Sequence, residues 1–172
     1  STGEVMGLAD DFPAAFAKAQ LAAGVRLPSS GRVFISVKDD DKPAVVDLAR
    51  RLVALGFSIA ATGGTSRYLA QKGIANEAVL KVTEGRPHVV DRIVDGDVQL
   101  VINSTFGRKE IADSFSIRRE SLMHGLPYYT TVQAARMAVE GLEALRKGPL
   151  AIKTLQEYVG IVGGRGRKAS DR

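Results

Sequence analysis

With 172 residues, 45% of them hydrophobic, the chain is long enough to bury one good core, and one main domain is expected. The absence of cysteine excludes a disulfide framework, thiol nucleophiles and thiolate metal sites, and two histidines, His88 and His124, argue against a zinc cluster. The formal net charge of +5 raises the question of nucleic acid, but the basic residues are scattered. Their dense cluster, Arg165, Arg167 and Lys168, falls in a Gly-rich ending without apolar periodicity, which reads as a solvated, disordered tail.

The chain opens on Ser1, which suggests a piece of something longer, and its first residues include Glu4 and Asp10 rather than a basic region leading into an apolar run. Neither secretion nor a membrane span is expected, and a reducing cytoplasm fits the lack of cysteine. Asp10-Asp11-Phe12-Pro13 reads as a helix start, with Ala-rich sequence to a stop at Gly24. Val25 to Arg32 has the composition of a linker.

From Val33 a strand (Val33 to Val37) is followed by a helix capped at Asp41-Lys42-Pro43, with Val45, Leu48, Ala49 and Leu52 on one face. Phe57 to Ala61 forms a second strand, Thr65 to Gln71 a second helix, and Ala78 to Val82 a third strand. Pro87 opens a helix bearing Val89, Val90 and Ile93. Val98 to Ile102 is a buried strand, Ser116 to Met123 a helix, and Tyr128-Tyr129 a fifth strand. Thr130 and Gln133 have capping-box spacing before a final long helix with Met137, Leu142 and Leu145. Five such units imply a doubly wound α/β domain, a roughly five-stranded parallel sheet with helices on both faces.

In such sheets the ligand crevice lies beyond the carboxyl ends of the strands. Those ends are polar here: Ser36 followed by Lys38 and Lys42; Thr62-Gly63-Gly64-Thr65; Lys81; Asn103-Ser104-Thr105; Thr130-Thr131. A Gly-Gly turn entering a helix offers free backbone N–H groups and the positive end of the helix dipole to an anion. By itself the turn is equally a tight connection, and Lys42 by itself a solvated first-turn lysine; their joint occurrence at successive strand ends points to phosphate. Glu84-Gly85-Arg86-Pro87 reads as a loop with an exposed ion pair or as a ligand contact. His88 and His124 carry no expected chemistry, and Asp91, Asp95 and Asp97 lack metal-ligand spacing.

Ser1 to Gly7 and Phe16-Ala17-Lys18-Ala19 resemble the end of the second ATP-grasp unit of carbamoyl-phosphate synthase large subunits. Ala61-Thr62-Gly63-Gly64-Thr65, Lys81 to Pro87, Ile102 to Thr105 and Ile117-Arg118-Arg119 resemble the methylglyoxal-synthase-like, carboxy-terminal allosteric domain of the bacterial enzymes. On that resemblance residues 1–27 close the ATP-grasp unit, 28–32 are linker, 33–158 the regulatory domain and 159–172 a disordered basic tail.

The resemblance implies a non-catalytic domain that binds uridylate or inosinate through Ser36, Lys42, Thr62, Thr65, Lys81, Asn103 and Thr105, to which the glycine-turn reading adds Gly64 as a point of close backbone approach to phosphate. It links Thr130 to an ornithine site at the boundary with the ATP-grasp portion. Gly63 stands where enteric relatives have histidine. The parent would join a glutaminase small subunit and use ATP with Mg or Mn to make carbamoyl phosphate from glutamine and bicarbonate, for arginine and pyrimidine biosynthesis. No cofactor or metal is expected in the fragment itself. A methylglyoxal synthase would need a Gly-Asp-Gln segment that is missing, an inosinate cyclohydrolase a Lys-Thr-Leu-His-Pro segment that is also missing. A nucleic-acid module would rest on the tail without aromatic platforms.

Overall fold

The computed structural model describes residues 3–104 and 108–163. Its elements run α1 (Phe12–Ala22), β1 (Gly31–Ser36), a 3-10 turn (Asp39–Asp41), α2 (Lys42–Ala54), β2 (Phe57–Thr62), α3 (Gly63–Gln71), β3 (Glu77–Val79), α4 (Val89–Val94), β4 (Leu100–Asn103), α5 (Arg108–Met123), β5 (Tyr128–Tyr129), α6 (Val132–Lys147) and α7 (Leu155–Gly163). The five strands form one parallel sheet in the order β3-β2-β1-β4-β5. The chain winds outward from β1 to β3, then returns to the other side of β1 for β4 and β5. The crevice of such a sheet therefore opens between the ends of β1 and β4.

The central strands β1, β2 and β4 are largely buried on both faces, so they read as apolar runs whose alternate residues feed two cores. Val33 and Ile35 of β1 join Val45, Leu48, Ala49 and Leu52 of α2, Leu69 of α3, and Ala135, Val139 and Leu142 of α6 on one face. Phe34, between them in sequence, joins Val89 and Ile93 of α4 and Ile117 of α5 on the other. Helices thus cover both faces, as the alternation of elements predicts.

The leading helix belongs to this body. Asp11 caps α1 by accepting a hydrogen bond from the Ala14 N–H at 2.8 Å, and Pro13 occupies its first turn. Ala17 is fully buried, and Phe16 and Leu27 pack on the first core. Gly141 of α6 permits the approach: a Cβ there would stand 3.2 Å from Leu27 Cδ1 and 3.5 Å from Phe16 Cδ1. The Tyr129 hydroxyl donates to Gln20 Oε1 at 3.2 Å, and burial pushes its phenol up to about 12.

Several boundaries differ from the sequence reading. The first strand starts at Gly31, inside the expected linker, because Gln99 Oε1 accepts from the Arg32 N–H at 2.6 Å and anchors the strand's entry. The third strand stops at Val79, since the chain turns there: the Lys81 N–H donates to Glu84 Oε2 at 2.8 Å and the Glu84 N–H to the Lys81 carbonyl at 3.0 Å. The cap of α6 is Thr131, whose hydroxyl accepts from the Ala134 N–H at 3.1 Å, rather than Thr130. Finally, α7 continues to Gly163, into the stretch expected to lack structure. Thr154 and Glu157 cap it reciprocally, and the Tyr158 hydroxyl donates to the Leu8 carbonyl at 2.9 Å. The remainder of the expected tail, 164–172 with its basic cluster, lies outside the described residues.

Candidate functional site

Register builds the site. Ser36 stands opposite Asn103, and Ile35 opposite Ala61, so Ser36, Thr62 and Asn103 end their strands in one row. Just beyond that row lies a cavity of about 430 Å³ lined by Ser36, Lys38, Lys42, Thr62, Gly64, Thr65, Lys81, Asn103, Ser104 and Ser114, with Val82, Val89 and Ile117 as its apolar wall. Of the expected ligand residues, Ser36, Lys42, Thr62, Gly64, Thr65, Lys81 and Asn103 all line it. Thr105 lies outside the described residues. Thr130 is exposed after β5 and does not line the cavity.

The polar groups are held rather than dangling. Thr62, Thr65, Asn103 and Ser104 are all buried, although each carries a polar side chain. The Ser36 and Thr62 hydroxyls share a hydrogen bond of 3.0 Å. Thr65 accepts from the Val37 N–H at 3.2 Å and donates to the Val37 carbonyl at 3.4 Å, which fastens the first turn of α3 to the end of β1. Asn103 Nδ2 donates to Ser114 Oγ at 2.6 Å and to the Tyr128 hydroxyl at 2.8 Å, tying β4 to α5 and β5.

Helix α3 starts at this spot. Its N-cap, Thr62, is extended and makes no side-chain cap bond, so the N–H groups of the first turn remain to be satisfied from the crevice. A Cβ on Gly64 would stand 3.4 Å from Lys42 Nζ, so the glycine lets the ammonium lie against the helix start. Lys42 is 17% exposed and contacts Asp39 Oδ1 at 2.6 Å. Lys81 lines the cavity from the loop beyond β3, and among the described residues its ammonium has no ion-pair partner. Three lysines (Lys38, Lys42 and Lys81), several hydroxyls and a helix start thus converge on one concavity, beside the carboxylates of Asp39 and Asp40, an arrangement suited to a phosphate group.

Sequence reasoning missed Ser114 and the acidic turn. Asp41 is the N-cap of α2 but makes no side-chain capping bond: its Oδ2 accepts from Ser104 Oγ at 2.6 Å, and Ser104 Oγ accepts from the Lys38 N–H at 3.3 Å. No local pattern marks Ser114, because it enters the crevice from α5. Outside the cavity, Glu84 is exposed and engaged by its own loop. His88 is buried as the cap of α4, where its ring accepts from the Asp91 N–H while Asp91 accepts from the His88 N–H. Among the described residues no group of three or more His, Asp or Glu side chains is placed to hold a metal ion, and no helix is long and apolar enough to cross a membrane.

The fold and site define a doubly wound domain with a polar crevice beyond the carboxyl ends of its strands. A sequence model of the MGS-like domain matches residues 44–130. The carbamoyl phosphate synthase large chain of Myxococcus xanthus (strain DK1622) is 72% identical over 94% of this chain, which covers 15% of that protein. The large chain of Mesorhizobium japonicum is 51% identical over 92% of this chain and 14% of its own length. In Aquifex aeolicus, "Carbamoyl phosphate synthase large chain, C-terminal section" is 45% identical over 94% of this chain and 31% of its own length. The chain belongs to the MGS-like domain family, in the form found in carbamoyl phosphate synthase large chains.

Proposed function

We propose that the crevice binds the phosphate of a nucleoside monophosphate and that the domain is the regulatory part of a carbamoyl phosphate synthase large chain. The observation that carries the proposal is the convergence of Lys42, Lys81, the Ser36–Thr62 hydroxyl pair and the start of α3 on one cavity beyond the ends of β2, β1 and β4. The phosphate occupies the helix start and the lysines. The base and ribose lie toward Val82, Val89 and Ile117, an apolar wall able to cover a ring. Uridylate and inosinate are the candidate effectors, and they share the phosphate position.

Regulation follows if an effector prefers one arrangement of the domain and so shifts the population presented to the ATP-grasp portion. A coupling of about 1–3 kcal/mol is typical, a several-fold to hundred-fold change in apparent affinity. Ornithine linked to Thr130 and a partnership with the glutaminase small subunit belong to the same reading, and ATP with its metal would act in the part of the large chain outside this sequence. Calorimetric titration of the chain with uridylate, inosinate and inorganic phosphate tests it. Binding of a nucleotide with phosphate as competitor is expected; absence of binding by all three at millimolar concentration would refute it.

A further inference from the structure

One cation of the crevice, Lys42, is already engaged by the chain itself. Lys42 Nζ lies 2.6 Å from Asp39 Oδ1, yet the two partners differ sharply, Lys42 being 17% exposed and Asp39 90%. Lys42 is largely covered, with its ammonium close to Gly64 at the start of α3, whereas Asp39 is open to solvent. The hydrogen bond from Lys42, aided by its charge, holds the Asp39 carboxyl below the usual carboxylate range. The turn that carries Asp39 is pinned two residues later, where Asp41 accepts from Ser104 Oγ at 2.6 Å. One carboxylate of the turn thus anchors it to the end of β4, and the other is laid on the ammonium that a ligand anion needs.

We infer that Asp39 is an internal competitor for the ligand's phosphate, an autoinhibitory contact that sets the concentration at which the crevice fills. The inference rests on the phosphate reading of the site. A carboxylate seated on Lys42 must leave, or share the ammonium, before a phosphate oxygen can take its place. A phosphomonoester, with a charge near −1.5 to −2 and three acceptor oxygens at neutral pH, can also use Lys81 and the N–H groups of α3. The incoming group therefore displaces Asp39 through contacts that Asp39 does not make. The contact weakens binding of every ligand that uses Lys42 and leaves a ligand without an anionic group unaffected.

Calorimetric titration of the intact chain and of the Asp39→Asn, Asp40→Asn, Lys42→Ala and Asp39→Asn/Lys42→Ala variants separates the possibilities, with uridylate, inorganic phosphate and uridine as probes. Asp39 is almost fully exposed, so the variant folds, and matching thermal melts verify it. Asp39→Asn is expected to bind uridylate and phosphate about three- to tenfold more tightly at low salt, with uridine unchanged. The gain disappears in the Lys42→Ala background. Asp40 lines the same cavity but makes no ion pair with Lys42, so Asp40→Asn, which removes the same formal charge, gives a smaller gain. If the intact chain binds uridylate through Lys42 but Asp39→Asn binds no more tightly, or Asp40→Asn gains as much, the internal competitor is refuted while the phosphate site stands. Failure of every form to bind uridylate or phosphate would refute both.

Discussion

The Thr65 hydroxyl closes on the backbone of a single residue, accepting from the Val37 N–H at 3.2 Å and donating to the Val37 carbonyl at 3.4 Å. At 2% exposure it fastens the first turn of α3 to the end of β1. Thr65→Ala leaves both buried backbone groups short of a partner and is expected to cost about 1–3 kcal/mol, seen as a lower melting temperature. Thr65→Ser keeps the hydroxyl and restores most of it. Thr62→Ala is expected to do the reverse, lowering nucleotide affinity more than the melting temperature. A Thr65→Ala protein that melts like the parent would show that the contact contributes nothing.

Lys42→Ala and Lys81→Ala are each expected to weaken uridylate and inosinate binding about tenfold or more, because each removes a charge-assisted contact worth about 1.5–3 kcal/mol when well made. Both should also flatten the salt dependence of binding. Titration over a range of ionic strength checks this, and parent-like affinity for both variants would move the site elsewhere.

Asn103 holds three elements together through Ser114 and Tyr128. Asn103→Leu has similar volume but leaves two hydroxyls without their donor, so a loss of about 1–3 kcal/mol in denaturant unfolding is expected. Tyr128→Phe removes one of the two bonds and should cost less. Equal losses in the two variants would mean that the Ser114 bond is idle.

Helices α2 and α6 are joined by Arg51, whose Nε and Nη2 donate to the two carboxylate oxygens of Glu143 at 2.8 Å each. The paired guanidinium holds the Glu143 carboxyl below its ordinary value of 4.5. A depressed carboxylate pKa stabilises the fold fully above the unfolded value and loses that contribution as pH falls through the folded value. Because the pair is partly exposed, Glu143→Gln is expected to cost only about 0.5–1 kcal/mol at pH 7. The gap between parent and variant should close below pH 4.5. A gap that stays constant down to the acid transition would rule out an ionic origin.

The closing helix α7 reaches back to the start of the chain. Its Tyr158 hydroxyl donates to the Leu8 carbonyl, Lys18 Nζ donates to both at 2.7 Å (Leu8) and 3.1 Å (Tyr158), and Lys153 pairs with Asp10 at 2.6 Å. Removal of residues 164–172 is therefore expected to leave the melting temperature unchanged, whereas removal of 150–172 lowers it by a few degrees. Equal melting of both truncations would show that the helix adds no stability to the rest.

The order of elements and most of the polar lining of the cavity were legible in the sequence, because both follow from local pattern. Apolar runs such as Val33-Phe34-Ile35 and the Thr62-Gly63-Gly64-Thr65 turn carry their own geometry, and the polar character of the strand ends shows without any knowledge of what they face. The capping of α7 was legible too, since Thr154 and Glu157 have capping-box spacing, but the glycines that follow drew the reading toward a tail. What chain order could not supply is which face each helix covers and which side chains meet across it. Ser114 enters the crevice from α5, the side chain of Asp41, at the N-cap of α2, binds Ser104, and Asp39 rather than solvent meets Lys42. Such pairings depend on the packing of helices against a twisted sheet, where a side chain's partner is fixed by distance in space, so the sequence determined the elements and the chemistry of their ends while only the tertiary structure decided how those ends engage one another.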